Sequence, residues 1–482
     1  MHDVLVIGAG VIGCAVAREL SRYKLSVLVL DKADDVATGT SKANSAIIHA
    51  GYGAMPGTLK AKMNIAGNLM FDNLSRELDF PFKRNGSLVL CFERAHIREL
   101  ENLRLRGLQS GVPGLRVIDR AELQSMEPNI GNKAVAALYA PSGGIVCPYE
   151  MTIALAENAR ANGVKFHFGR QVTQIKKNED EFIVSAGAEF FRSRVVVNAA
   201  GIHADDIHNM ISHERMNIIP RAGQYYLFDS TLGGQVRHTL FQLPGKMGKG
   251  VLVTPTIDGN LMTGPTAADI CVKDDFSTNA EEAEKILSAA SLIMDSLPKN
   301  EIITAFTGLR AHSISDDFII GHVPDTPGMI DAAGIESPGL TGAPAIGVSV
   351  ARLACELLSP AENPDFNPVR HAIPKFRDMN ITQRKNAIAK NSSYGKIICR
   401  CESVTEAEVI EAIKRGARDV DGVKRRTRAG MGRCQGGFCS PHVLTLLSRE
   451  LKISPLDVTK FGGKSNILIG KNKEVQPCKQ IL

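Results

Sequence analysis

Near its amino terminus the chain reads Asp3-Val4-Leu5-Val6-Ile7-Gly8-Ala9-Gly10-Val11-Ile12-Gly13. Residues 3–7 have the apolar run of a buried parallel strand. The glycine turn follows at once, and residues 14–23 carry the apolar rhythm of a helix. A second strand over residues 26–30 ends on Asp31, 18 residues beyond Gly13. Each glycine of this G-x-G-x-x-G has a task. Gly8 makes the turn, Gly10 lets a pyrophosphate approach the backbone, and Gly13 packs helix on strand. The helix start, with Val11 and Ile12, offers its positive end to phosphate, and Asp31 suits ribose hydroxyls. The pattern predicts an α/β dinucleotide-binding unit; the competing reading is a tight turn without a ligand.

The rest of the chain sets the limits. Its 482 residues leave room for two to four domains, and 44% hydrophobic content suits sizeable cores. A net charge of +6 does not point to nucleic acid, and the interleaved aromatics of a strand-binding surface are missing. Residues 4–7 are too short for a signal peptide, and no apolar run reaches the roughly 18 residues of a membrane span. With 10 cysteines and no leader, a reducing cytoplasm is expected, with thiols used as ligands.

Four of those thiols cluster. Cys399-Arg400-Cys401 gives C-x-C, and Cys434-Gln435-Gly436-Gly437-Phe438-Cys439 gives C-x4-C. Between them Val404, Ala407, Val409, Ile410 and Ile413 follow helical spacing, so a helical hairpin would join the pairs. Four thiolates call for zinc or an iron–sulfur cluster. C-x-C fits zinc knuckles poorly, and Gly430, Gly432, Gly436 and Gly437 let backbone N–H groups approach sulfur, which favours [2Fe–2S] over zinc. The cations from Lys414 to Arg433 read either as a solvated face or as a surface that steers an acidic partner.

Residues 38–53, T-G-T-S-K-A-N-S-A-I-I-H-A-G-Y-G, resemble the D-amino-acid-oxidase-like flavoprotein superfamily. The resemblance implies FAD, with Thr40, Ser41, Asn44 and Ser45 along the pyrophosphate and His49 beside the flavin as a base or fixed donor. Asp31 and Lys32 belong to the same site. It also implies that the Val172 segment meets adenine, that Ala200 and Gly201 pass the phosphates, and that Gly339, Leu340 and Thr341 open a helix under the flavin pyrimidine. In Thr307-Gly308-Leu309-Arg310-Ala311-His312, Arg310 matches the arginine that grips a substrate anion. His312, Tyr52 and Lys249 are further substrate-side candidates, and His312 is the alternative base.

The string from Asn44 to Lys62 resembles the L-2-hydroxyglutarate oxidase branch, and residues 397–450 resemble bacterioferritin-associated-ferredoxin-like [2Fe–2S] domains, with Cys399, Cys401, Cys434 and Cys439 as ligands. The whole resembles FAD-dependent glycerol-3-phosphate dehydrogenases. The expected fold is therefore α/β plus α+β. A Rossmann-like FAD domain (1–75, 143–210, 306–360) interleaves with an antiparallel-sheet substrate domain (76–142, 211–305). A linker (361–396), a small helical [2Fe–2S] domain (397–453) and a tail (454–482) follow. The implied activity is oxidation of glycerol 3-phosphate, with electrons leaving through the cluster to a second flavoprotein or other acceptor subunit. Oxidation of L-2-hydroxyglutarate or another 2-hydroxy acid is the alternative, and a non-catalytic electron-transfer subunit is a second one.

Overall fold

The structure is a computed structural model that describes residues 1–245 and 250–472. It comprises two compact units, one of Met1–Lys32 with Val36–Ala372, the other of Ala33–Asp35 with the chain from Ile373 onward.

In the first unit the apolar runs become five parallel strands. Their order is Lys165–His167, Val27–Leu30, His2–Ile7, Glu189–Asn198 and Met329–Ala333. Glu189–Asn198 is long enough to serve twice. Its first half pairs antiparallel with Glu181–Ala186 and its second half runs parallel to Met329–Ala333. Alternation sorts the side chains of His2–Ile7. Val4 and Val6 join the core under the helices Val11–Leu20, Pro148–Ala161 and Gly339–Leu358, whereas Leu5 and Ile7 join Val172, Phe182 and Val184. Burial on both faces is what an all-apolar strand requires. All five parallel strands end at one edge, where open α/β sheets bind their ligands.

The boundary that the sequence places between residues 75 and 76 falls inside a 20-residue helix, Leu59–Leu78. Its buried side interleaves Asn64, Gly67 and Asn68 with Met63, Phe71 and Leu74, which breaks the apolar period that would have announced it. Gly67 is required there, since a Cβ would lie 2.0 Å from the Thr341 carbonyl oxygen.

The expected antiparallel layer is a nine-stranded sheet, antiparallel except where Thr239–Gln242 runs parallel to Ser87–Cys91. Its longest pair joins Ile218–Phe228 to Ile302–Ser313, with Arg221 opposite Arg310 and Gly223 opposite Gly308.

In the second unit, Glu406–Lys414, Val420–Thr427 and Ser440–Leu451 surround Val409, Ala412, Val423, Val443 and Leu447. A capping box between Thr405 and Glu408 starts the first of these helices. Of the stretch 361–396, residues up to Ala372 group with the first unit and the rest with the second. Within that stretch Asn380 and Gln383 form a capping box on the helix Ile381–Lys390.

Among the described residues one helix, Gly339–Leu358, is long and apolar enough to cross a membrane by length and composition. Its Ala343, Ile346, Val350 and Ala354 are spent on the core of the first unit.

Candidate active site

The turn after His2–Ile7 has the geometry that the sequence called for. Gly8 sits at φ +107°, and a Cβ there would be 2.4 Å from the Ala199 carbonyl oxygen; on Gly13 it would be 1.9 Å from the Gly8 oxygen. Gly10 caps Val11–Leu20 without a side chain, and the first turn carries no acid, so its positive end, apart from the Val11 N–H taken by Ser41, suits a phosphate. Asp31 Oδ2 accepts the Ala9 N–H at 2.6 Å, which ties the acidic strand end to the turn. The Asp31 N–H donates to His167 and the Arg170 N–H donates to the Asp31 oxygen, so the segment leading to Val172 runs alongside. The Ala199 N–H donates to Ile7, which sets Ala200 and Gly201 at the same edge. Lys32 Nζ lies 2.9 Å from His203 Nε2 and 3.4 Å from Asp274. These features fit a dinucleotide: the backbone closes around space that a Cβ would fill.

Residues 40–49 are clamped on both sides. Ser41 Oγ accepts the Val11 N–H at 2.9 Å, and Thr40 donates to the Leu309 carbonyl. A Cβ on Gly308 would lie 1.9 Å from the Ala43 oxygen, so the run and the Ile302–Ser313 strand touch backbone to backbone. Asn44 bridges Thr40, Ser41 and Ala46, and Ser45 hydrogen-bonds Tyr225.

His49 is fixed at several points. Its N–H donates to Thr341 Oγ1 at 2.9 Å, while its carbonyl accepts from Asn64 and Asn68. Its Nε2 is 3.2 Å from Ser337 Oγ, and its ring lies against Phe241. Thr341 belongs to the first turn of Gly339–Leu358, so with Leu340 this helix start is joined directly to His49. His49, Ser337, Tyr52, Asn64 and Lys60 line a cavity of about 440 Å³.

Arg310 and His312 alternate onto one face of Ile302–Ser313. The Arg310 guanidinium donates to the carbonyls of Arg221, Ala222 and Thr266 at 3.4, 3.2 and 2.7 Å. It makes no ion pair among the described residues, whereas Arg221 opposite is bound to Asp269 at 2.6 Å. A cation held by carbonyls retains its charge for an incoming anion. Tyr225 shares this face; burial pushes its phenol up, against the pull of Arg310. His312 Nδ1 is 2.9 Å from Glu336, which also takes Lys60 at 3.0 Å. Burial works against the Lys60 ammonium, but Asp316 and Glu336 outweigh it and raise its pKa.

Tyr52 lies on the cavity wall, yet its hydroxyl is hydrogen-bonded to Ser87 and burial pushes its pKa up to about 12. Lys249 lies outside the described residues. Sequence reasoning missed Ser337, Glu336, Asn64 and Asn68. The i, i+4 spacing of the two asparagines was their one visible signal, and it required the Leu59–Leu78 helix to be known first.

In the second unit the four thiols converge as two pairs. Cys401 Sγ and Cys434 Sγ are 3.6 Å apart, and Cys399 contacts Cys439. That spacing is far beyond a disulfide and close to the edge of a tetrahedral thiolate site, about 3.8 Å for metal–sulfur bonds of about 2.3 Å. The Cys439 contact, with Gly430 and Glu402 N–H groups, lowers Cys399 to about 6. Phe438, Gly436 and Gly437 N–H groups lower Cys434. These backbone donors on sulfur fit an anionic cluster. Cys399 and Cys439 are buried, and Cys401 is exposed.

The basic run is not a continuous solvated face. Arg425, Arg426 and Arg428 are buried, the first two on Asp35 and the third on Glu402. Arg418 and Arg433 remain exposed.

Comparison with known proteins agrees with both halves. Residues 397–449 match the BFD-like [2Fe-2S] binding domain. A glycerol 3-phosphate dehydrogenase of Caloramator mitchellensis is 50% identical over 480 residues, 99% of this chain and 100% of that protein. A glycerol 3-phosphate oxidase of Mycoplasma genitalium is 32% identical, over 74% of this chain and 94% of its own. The solved structure of dithionite-reduced L-alpha-glycerophosphate oxidase from Mycoplasma pneumoniae with FAD bound superposes with a TM-score of 0.73 at 31% identity, covering 77% of this chain and 98% of that one. Residues 3–353 match the FAD dependent oxidoreductase model, and the chain belongs to that family, with FAD in its first unit and a [2Fe–2S] domain in its second.

Proposed function

We propose that this enzyme oxidises sn-glycerol 3-phosphate to dihydroxyacetone phosphate in the cytoplasm and passes the electrons through its [2Fe–2S] cluster to a partner subunit. One observation carries the substrate reading: Arg310 is a guanidinium braced by three carbonyls and paired with no described carboxylate. Likeness to glycerol 3-phosphate dehydrogenase along the whole chain, cysteine domain included, supports the same reading.

FAD, when bound, supplies the hydride acceptor for the C2–H of the substrate. The chain supplies everything else. Gly8, Gly10 and Gly13 with Val11 and Ile12 hold the pyrophosphate, Asp31 and Lys32 the ribose side, and Thr40 to Ser45 the linking run. The Val172 segment borders adenine, Ala200 and Gly201 the phosphates, and Gly339 to Thr341 the pyrimidine. Arg310 binds the substrate phosphate by its planar fork. His49 takes the hydroxyl proton at Nε2, exchanging its contact with Ser337 for one with the substrate. His312, with Nδ1 held by Glu336, is the alternative acceptor. A one-electron centre needs an acceptor beyond it. A protein partner drawn by exposed cations such as Arg418 and Arg433 would bind less well as salt rises.

Anaerobic mixing of the purified protein with glycerol 3-phosphate, L-2-hydroxyglutarate and other 2-hydroxy acids tests the substrate. Flavin bleaching by glycerol 3-phosphate at the highest kcat/KM is expected. Preference for L-2-hydroxyglutarate would overturn the assignment, and bleaching by none would favour an electron-transfer subunit. His49→Ala is expected to slow flavin reduction by about 10²–10⁴-fold while FAD stays bound. Reduction at the normal rate would move the base to His312.

A further inference from the structure

The second unit is not one continuous stretch, because it takes in the three residues Ala33–Asp35. Asp35 is 2% exposed. Its Oδ2 accepts from Arg425 Nη2 at 2.7 Å and from Arg426 Nη1 at 2.6 Å, and its Oδ1 accepts from Arg426 Nη2 at 2.8 Å. Both arginines are buried as well. One carboxylate thus pairs with two guanidiniums away from water, where its loss would leave both buried charges uncompensated.

The two arginines lie on Val420–Thr427, and what that helix carries matters to the cluster. It ends at Arg428, in the left-handed region at φ 70°, and the chain turns at once into Gly430, whose N–H reaches Cys399. Gly432, Cys434 and Cys439 follow on the same loop. The helix fits closely against the acid: a Cβ on Gly422 would lie 3.3 Å from Asp35 Oδ2. Asp419, which caps the helix through the Gly422 N–H, is a second acid beside Arg425, but burial raises its pKa.

We infer that Asp35 is a positioning residue for the iron–sulfur loop: its carboxylate anchors Arg425 and Arg426 and so fixes the helix end that presents Gly430 and Cys434 to the cluster. The segment that follows the ribose-side acid Asp31 is therefore part of the cluster domain's own framework. This rests on the assignment of the four cysteines to a [2Fe–2S] centre.

The test uses the full-length protein with both cofactors. Asp35→Asn keeps the shape and removes the charge. Expected are bleaching of the cluster by an iron chelator on the order of tenfold faster, as for other outer-shell changes, an altered electron paramagnetic resonance signal of the reduced cluster, and unchanged FAD content. Asp35→Glu should recover most of the wild-type signal. If Asp35→Asn loses both cofactors, Arg426→Gln decides, since it opens the same contact from the helix side: faster bleaching with FAD retained supports the inference. Wild-type bleaching and an unaltered signal in Asp35→Asn, or in Arg426→Gln where that variant decides, overturn it. A wild-type protein without iron would instead refute the cluster assignment itself.

Discussion

The two cofactor sites are built from opposite materials. The proposed flavin site is made mostly of backbone: glycines at 8, 10 and 13, a strand end at Ala199 and Ala200, and a helix start at Gly339. Its parts are spread over more than 300 residues and meet only because five parallel strands end at one edge. The proposed cluster site is made of four side chains within 41 residues, from Cys399 to Cys439. A backbone site is tolerant of side-chain chemistry and intolerant of added atoms; a thiolate site is the reverse.

The largest effects follow from that contrast. Cys434→Ser should lose the cluster and keep FAD, read as iron, acid-labile sulfide and flavin per chain. Gly13→Ala adds one methyl group 1.9 Å from the Gly8 oxygen and should lose FAD. If Gly13→Ala keeps stoichiometric FAD, the flavin site does not depend on backbone contact and the comparison fails.

A smaller effect is expected at Arg310, the proposed anion-binding side chain of the first unit. Arg310→Ala should cost about 2–5 kcal/mol in apparent substrate binding if the pair with the phosphate is buried. An unchanged kcat/KM would place the anion elsewhere.

The smallest is a pH effect in the wall of the cavity. Burial holds Tyr52 protonated up to about pH 12, above the ordinary phenol near 10. Between those values the unfolded chain releases the proton and the folded chain keeps it, so stability should fall as pH rises from 10 to 12. The loss is up to about 3 kcal/mol. The Tm profile of Tyr52→Phe should lose that share of the slope and keep the part due to Tyr225, whose phenol pKa burial also raises; a slope unchanged by the substitution assigns the effect to other groups.

The same contrast explains what could be read from sequence. G-x-G-x-x-G was legible because each glycine answers a local steric demand, and the structure confirms the demand at Gly8 and Gly13. The cysteine quartet was legible because metal sites impose short spacings. Leu59–Leu78 was hidden, since its buried asparagines serve the His49 carbonyl instead of an apolar core. The basic run was misread for a similar reason. Arg425 and Arg426 look like surface charges until an acid 390 positions away is brought to them, and no local pattern predicts that. Ser337 sits in a glycine turn whose meaning comes only from its contact with His49.

The proposed reaction takes one hydride, an electron pair, from glycerol 3-phosphate and releases the two electrons one at a time. Anaerobic mixing with limiting glycerol 3-phosphate, followed by rapid-freeze electron paramagnetic resonance, tests it most directly. Flavin bleaching should precede growth of a reduced [2Fe–2S] signal, and Cys434→Ser should bleach without that signal. Flavin bleaching in the wild-type protein with no cluster signal, or efficient reduction of NAD(P)+ by this chain alone, would rule out electron exit through the cluster.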